Sequence, residues 1–200
     1  RIAPTGSHAP PNYTAFQQAR FAHPTEDITI LKRFAQPDDC WFDIGAGIGI
    51  HALYLAKIVK RVVAIDPSPG MCTELERNIA GAGVDNVDVI AKAWPMQTPA
   101  DQADVCFAAD VTYFVPDIGP FLDAMEQTAR RLCVISSTEL GTGARPVNPV
   151  FAELHGEPYI RLPGLRELLA ILGARRRRYD IHTFADVLLV APVAAYTVHF

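Results

Sequence analysis

A run of closely spaced glycines between two apolar segments does most to limit what this chain can fold into. Cys40-Trp41-Phe42-Asp43-Ile44 is short and almost wholly apolar, and it runs without a linker into Gly45-Ala46-Gly47-Ile48-Gly49. Residues 50–60 then read as a helix. Glycines between a strand and a helix let the backbone turn tightly and come close to a ligand. In an open α/β sheet that position is the crevice at the carboxyl end of the strand, where ligands bind.

The strand-then-helix rhythm continues beyond the loop. Strands are expected at residues 40–44, 61–65, 87–91, 104–108 and 132–136. They are continuous apolar runs rather than alternating ones, as in parallel strands buried on both faces. The turn Pro67-Ser68-Pro69-Gly70 leads into a helix through residue 79, which Gly81 and Gly83 end. A further helix is expected at 118–130 and another at 165–172, closed by Gly173. Residues 175–184 and 187–200 supply two last strands. Alternating strands and helices imply an α/β, doubly wound, mostly parallel sheet with flanking helices.

The whole chain, residues 1–200, reads as a single domain. Residues 1–36 form an N-terminal arm and helices, in which His23-Pro24 separates two helical stretches and Thr25 caps the second. Residues 37–137 form a cofactor-binding core, and 164–200 a C-terminal helix and strands. Between them, 138–163 is punctuated by glycine and proline and too long for an ordinary connection; it reads as a substrate lid.

Composition narrows the function classes. Half of the 200 residues are hydrophobic, enough for a sizeable core, and the formal net charge is −4. An acidic balance argues against binding nucleic acid by phosphate neutralisation. The run Arg175 to Arg178 follows a helix terminus, where cations are favoured in any case. Cys40, Cys72, Cys106 and Cys133 contain no CxxC pair, so no metal site is expected and the thiols read as buried and reduced. No uncharged apolar run reaches about 18 residues, so no membrane span is expected; 187–200 is short and broken by Pro192. With no leader-like pattern visible, a cytoplasmic location is expected.

Three ligand classes compete for the glycine loop. A phosphate loop needs Gly-Lys-Ser/Thr at the helix start, but Ile50 and His51 follow Gly49. A dinucleotide fingerprint needs a third glycine where Ile50 stands. The spacing is GxGxG instead, with Asp43 two residues ahead. A carboxylate there repels a pyrophosphate and suits a cationic ligand. The second strand ends on Asp66, about 20 residues past the glycines, where an acidic residue accepts hydrogen bonds from ribose hydroxyls.

DIGAGIG followed by VVAIDPSPGM resembles motif I and its partner in the class I S-adenosylmethionine-dependent methyltransferases, a Rossmann-like family. The resemblance runs over about residues 41–136. It implies a cofactor, S-adenosylmethionine, whose methionine portion meets Asp43 and the loop Gly45, Ala46, Gly47 and Gly49. Asp66 would hold the ribose, with Pro67 in the turn and Met71 along the adenine. Ala93 and Trp94 fall where many members place an acidic residue against the adenine amino group; here backbone groups are expected to serve. Ala109 and Asp110 match the motif whose backbone approaches the cofactor, with Asp110 at the mouth of the site.

Methyl transfer from a sulfonium is an in-line displacement with a good leaving group, so alignment and desolvation suffice and a catalytic base is optional. His155 and Glu157 in the 138–163 segment are the weak candidates for base and orienter, beside the plainer reading of a solvated loop. Tyr113 and Phe114 would line an acceptor pocket, and Tyr13 and Arg20 would fold over the cofactor. The stretch AADVTYF lacks the Asn/Asp-Pro-Pro-aromatic sequence that signals amide or nucleobase amine methylation in this family. His51, in the first turn of the helix after the loop, reads as packed or partly exposed. The expectation is methyl transfer to a small-molecule acceptor, with no nucleic acid or membrane partner. The rivals are a non-catalytic methyltransferase-like binding module and an NAD-dependent oxidoreductase.

Overall fold

A computed structural model of the chain describes residues 26–96, 102–138, 153, 156, 163–186 and 193–199. Helix α1 (Glu26–Phe34) precedes β1 (Cys40–Ile44), which is followed by α2 (Ile50–Leu55), β2 (Arg61–Ile65), α3 (Pro69–Ala82), β3 (Val87–Ile90) and β4 (Ala103–Ala109). A 3-10 turn (Thr112–Phe114) and α4 (Ile118–Thr128) lead to β5 (Ala129–Thr138). Helix α5 (Leu165–Ala174), β6 (Asp180–Asp186) and β7 (Val193–His199) complete the described elements.

One seven-stranded sheet runs in the order β3-β2-β1-β4-β5-β7-β6. Five contiguous strands are parallel, and β7 joins β5 and β6 antiparallel to both. The expected mostly parallel α/β sheet with flanking helices is therefore present. Strand order reverses between β1 and β4, so the loops after these two strands diverge and leave a crevice.

Successive side chains on a strand face opposite ways, and both faces are packed. Phe42 and Ile44 of β1, with Val63, Ile65, Cys106 and Ile135, lie against Phe121, Leu122 and Met125 of α4 and Leu165, Leu168 and Leu172 of α5. Trp41, Val62, Ala64, Val105, Phe107 and Val134 lie on the other face with Leu31, Leu55 and Leu75. The core strands are thus apolar at consecutive positions because each residue meets helices on its own side.

Several boundaries differ from the sequence reading, each for a local reason. Helix α2 stops at Leu55 rather than 60 because the Asn86 amide reaches in from before β3. It donates to the carbonyls of Ala56 (2.8 Å), Val59 (3.1 Å) and Lys60 (3.4 Å). Gly81 lies inside α3; Gly83 alone ends it, at φ +65°, with its N–H on the Ile79 carbonyl. Helix α4 ends at Thr128, and β5 takes up residues 129–131 because it pairs with β4 from Ala103 onward. Residues 175–179 are not strand: Arg176 sits at φ +54° and the Arg177 N–H closes on the Leu172 carbonyl, so β6 begins at Asp180. Among the described residues no helix is long and apolar enough to cross a membrane.

Candidate cofactor site

The loop after β1 is held from both sides. The Gly45 and Ala46 N–H groups donate to the Ile65 carbonyl at 2.7 and 3.1 Å, and the Gly49 N–H donates to Ala46. The Asn78 amide of α3 donates to the Ile48 carbonyl at 2.9 Å. Gly45, Gly47 and Gly49 all take positive φ, at +75°, +56° and +90°. Their surroundings separate their roles. A Cβ on Gly45 would stand 2.3 Å from Val111 Cγ2, and one on Gly49 would stand 2.1 Å from Leu75 Cδ1. A Cβ on Gly47 would meet nothing within 4 Å. Gly45 and Gly49 are packing positions, whereas Gly47 faces open space in the crevice.

Asp66 ties the loop to the second strand. One carboxylate oxygen accepts the Gly47 N–H at 2.9 Å and the other accepts the Ser68 N–H at 2.8 Å. Burial raises its pKa, and these two bonds oppose the rise. Each oxygen retains a second acceptor site. Pro67 beside it is exposed. Ser68 caps α3 through the Met71 N–H. Met71 itself packs against Ile28, Ile48 and Ile50, a small apolar cluster under α1.

Asp43 is 1% exposed, and its Oδ2 has no hydrogen-bond partner. Burial pushes its pKa up to about 6; His51 and the Ala52 N–H pull it down, and Asp66 adds to the rise. A buried carboxylate with an unsatisfied oxygen beside a glycine loop is costly unless a donor or cation meets it. His51, two residues past the loop, is buried and lies 2.7 Å from Asp27 of α1, which is buried too. No motif in the sequence singles out Asp27; the signal available was a histidine two residues after the glycines. Asn78 and Val111 carried no such signal.

On the other side of the crevice, Asp110 follows β4 at φ +55°. Its N–H donates to the Ser136 carbonyl at 3.0 Å, and it accepts the Tyr113 hydroxyl at 2.8 Å. Tyr113 is buried, whereas Phe114 is 59% exposed. Ala109, the last residue of β4, is half-buried. Beyond β3, Ala93 is exposed, and Trp94 packs on the α4 side of the core with its indole N–H on the Phe121 carbonyl at 3.2 Å.

The structure thus brings Asp43, residues 45–49, Asp66 and, through the Gly45–Val111 approach, the Ala109–Asp110 corner to one place. Met71 and Trp94 are anchored in apolar packing. His155, Glu157, Tyr13 and Arg20 lie outside the described residues, as does Thr25. The Arg175–Arg178 run is partly spent within the fold: Arg175 pairs with Asp123, and Arg177 with Glu126 at 2.6 Å, both on α4. The four cysteines are free thiols, three in strands and Cys72 in α3. Among the described residues no three His, Cys, Asp or Glu side chains group as metal ligands would.

Residues 42–132 match a family described as a methyltransferase domain. A protein-L-isoaspartate O-methyltransferase of Nitrosococcus oceani is 31% identical over 99 residues, 47% of this chain and 42% of that protein. The chain spans less than half the length of the curated relatives it matches. Among solved structures, magnesium protoporphyrin IX methyltransferase from Synechocystis PCC 6803 with bound SAH superposes with a TM-score of 0.68 at 15% identity. That match covers 92% of this chain and 83% of the other. A SAM-dependent methyltransferase from Aquifex aeolicus gives 0.65 at 18% identity, over 93% and 96%.

Proposed function

From a chain with the Rossmann-like fold of the class I S-adenosylmethionine-dependent methyltransferases, whose residues 42–132 match the methyltransferase domain, we propose an S-adenosylmethionine-dependent methyltransferase acting on a small-molecule acceptor. The observation that carries the cofactor reading is the buried Asp43 carboxylate with its unpartnered oxygen beside the glycine loop. A methionine ammonium supplies the missing donor and the opposing charge. A pyrophosphate would meet an anion there, which disfavours a dinucleotide.

In this reading Gly45, Ala46, Gly47 and Gly49 cradle the methionine portion, with the open side of Gly47 toward it. Asp66 accepts the ribose hydroxyls on the acceptor sites its backbone bonds leave free. Pro67, Met71, Ala93 and Trp94 border the adenine, and Ala109 and Asp110 close the opposite side. The bound cofactor supplies a methyl group already activated on a sulfonium. The chain contributes alignment and exclusion of water. Tyr113 fixes Asp110 at the mouth, and exposed Phe114 offers an apolar contact to an acceptor. The curated matches cover at most about half of the chain and differ in what they methylate, so they support the cofactor half more than the acceptor half.

Calorimetric titration with S-adenosylhomocysteine, with NAD as the comparison and Asp66→Ala as the control, tests this. Micromolar binding of the first ligand, at least tenfold weaker in the variant, is the expected result. Binding of NAD alone would replace the reading with an oxidoreductase, and binding of neither would leave a non-catalytic module.

A further inference from the structure

The Asp27–His51 pair has no place in the reading above, yet it is buried, and His51 follows the glycine loop by two residues. Asp27 opens α1; one of its oxygens accepts the Ile28 N–H at 2.9 Å, and the other lies 2.7 Å from His51 Nε2. The two residues are 2% and 8% exposed. His51 stands in α2 immediately before Ala52, whose N–H donates to Asp43. Asp43, His51 and Asp27 are therefore a connected row running from β1 through α2 to α1.

Two titratable side chains bear on the charge of Asp43. His51 faces it from α2 and Asp66 from the end of β2. Its register partners, Ala64 on β2 and Phe107 on β4, are uncharged, and Phe107 also meets the His51 ring edge-on at 5.1 Å. Asp27 reaches it only through His51. Burial and the Asp66 carboxylate thus oppose ionisation of Asp43, while the His51 imidazole and the Ala52 N–H favour it.

We infer that Asp27 and His51 are positioning residues for the cofactor pocket: docking of α1 sets a buried imidazolium behind Asp43, which keeps the carboxylate charged and its free oxygen available to a ligand ammonium. The inference rests on the cofactor reading of Asp43. Asp27 stabilises the imidazolium, and the imidazolium offsets both Asp66 and desolvation, so the row as a whole keeps one negative charge for the ligand to neutralise. A role as a mere staple between α1 and α2 would require the contact but not the charge.

The test follows the Asp43 carboxyl by carbon-13 NMR titration of the ligand-free protein, in the wild type, His51→Gln and Asp27→Asn, each checked for folding by circular dichroism. S-adenosylhomocysteine affinity is measured in parallel across the same pH range. In His51→Gln the Asp43 midpoint is expected to rise by at least about half a pH unit, and in Asp27→Asn to rise by less. Affinity well above the midpoint should stay within about threefold of wild type, while its acid limb moves with the midpoint. An unmoved midpoint in a folded His51→Gln protein overturns the inference. Asp27→Asn decides in the same way if His51→Gln does not fold. Absence of S-adenosylhomocysteine binding in every protein would instead refute the cofactor reading; the ligand-free titration still decides whether His51 sets the Asp43 charge.

Discussion

At the scale of single residues, the three glycines of one loop should respond differently to the same change. Gly49→Ala combines left-handed strain with overlap on Leu75, and should destabilise the protein by about 3 kcal/mol in denaturant unfolding. Gly47→Ala meets open space, so its cost should be strain alone, about 1 kcal/mol, while the new methyl intrudes on the proposed ligand side and weakens S-adenosylhomocysteine binding at least tenfold. Equal loss of stability in the two variants would contradict this division. Asp43 makes a pH prediction of definite sign. Its folded pKa, about 6, lies above the ordinary 3.8, so its protonated form favours the folded state. The stability it confers is complete below about 3.8 and is lost as pH rises through about 6. Asp43→Asn should therefore remove roughly 3 kcal/mol of the difference in stability between pH 3.5 and pH 7, read by urea unfolding at both. The same carboxylate explains why the loop's chemistry was legible and its neighbours were not. GxGxG with an aspartate two residues ahead is a local pattern. The Asp27–His51 contact and the Asn78 bond join residues 24 and 30 positions apart, and the burial of the Asp43 Oδ2 without a partner is set by the tertiary packing; spacing alone reveals none of these.

At the scale of elements, the strands were more legible than the helix ends. Apolar runs buried on both faces state their own limits, and β1 and β2 fall on the expected residues. Helix ends are set by whichever groups take the last carbonyls, and those come from elsewhere in the chain. Asn86 shows this for α2: Asn86→Ala should cost about 1 kcal/mol and speed amide exchange at residues 56–60 before it affects the rest of the sheet. The Arg175–Arg178 run shows the same point with charge. Read as sequence it suggests a basic surface; in the fold, two of its members hold α5 against α4. Arg177→Ala should leave the urea midpoint nearly unchanged, because the Glu126 pair is exposed on the arginine side and screened by solvent. The C-terminal strands were expected in kind but not in place. β6 is an edge of the described sheet and pairs on one side only, and β7 is antiparallel to both its neighbours, so neither carries the continuous apolar run that marks β1 or β4.

At the scale of the whole molecule, the sheet places its firmest strands beneath the loops of the candidate site. β1 and β4 each have neighbours on both sides and helices on both faces, whereas β3 and β6 are the edges of the described sheet. Native-state hydrogen exchange should find β1 and β4 amides opening only with global unfolding, and β3 and β6 exchanging sooner. The alternation that predicted the sheet was legible because a parallel crossover needs a long intervening segment and a double core, both of which mark composition directly. The site was legible only where it is contiguous in sequence. The two tryptophans extend the use of this arrangement from stability to optical reporting. Trp41 lies wholly within the core with its indole N–H on Asp39, while Trp94 is part-buried beyond β3, held to the Phe121 carbonyl. Their emission should therefore separate: the bluer component belongs to Trp41 and follows global denaturation, and the redder component belongs to Trp94 and, on the proposed adenine placement, answers to ligand binding. A Trp41→Phe protein would leave Trp94 as the single tryptophan, excited selectively over the tyrosines, for timing ligand arrival.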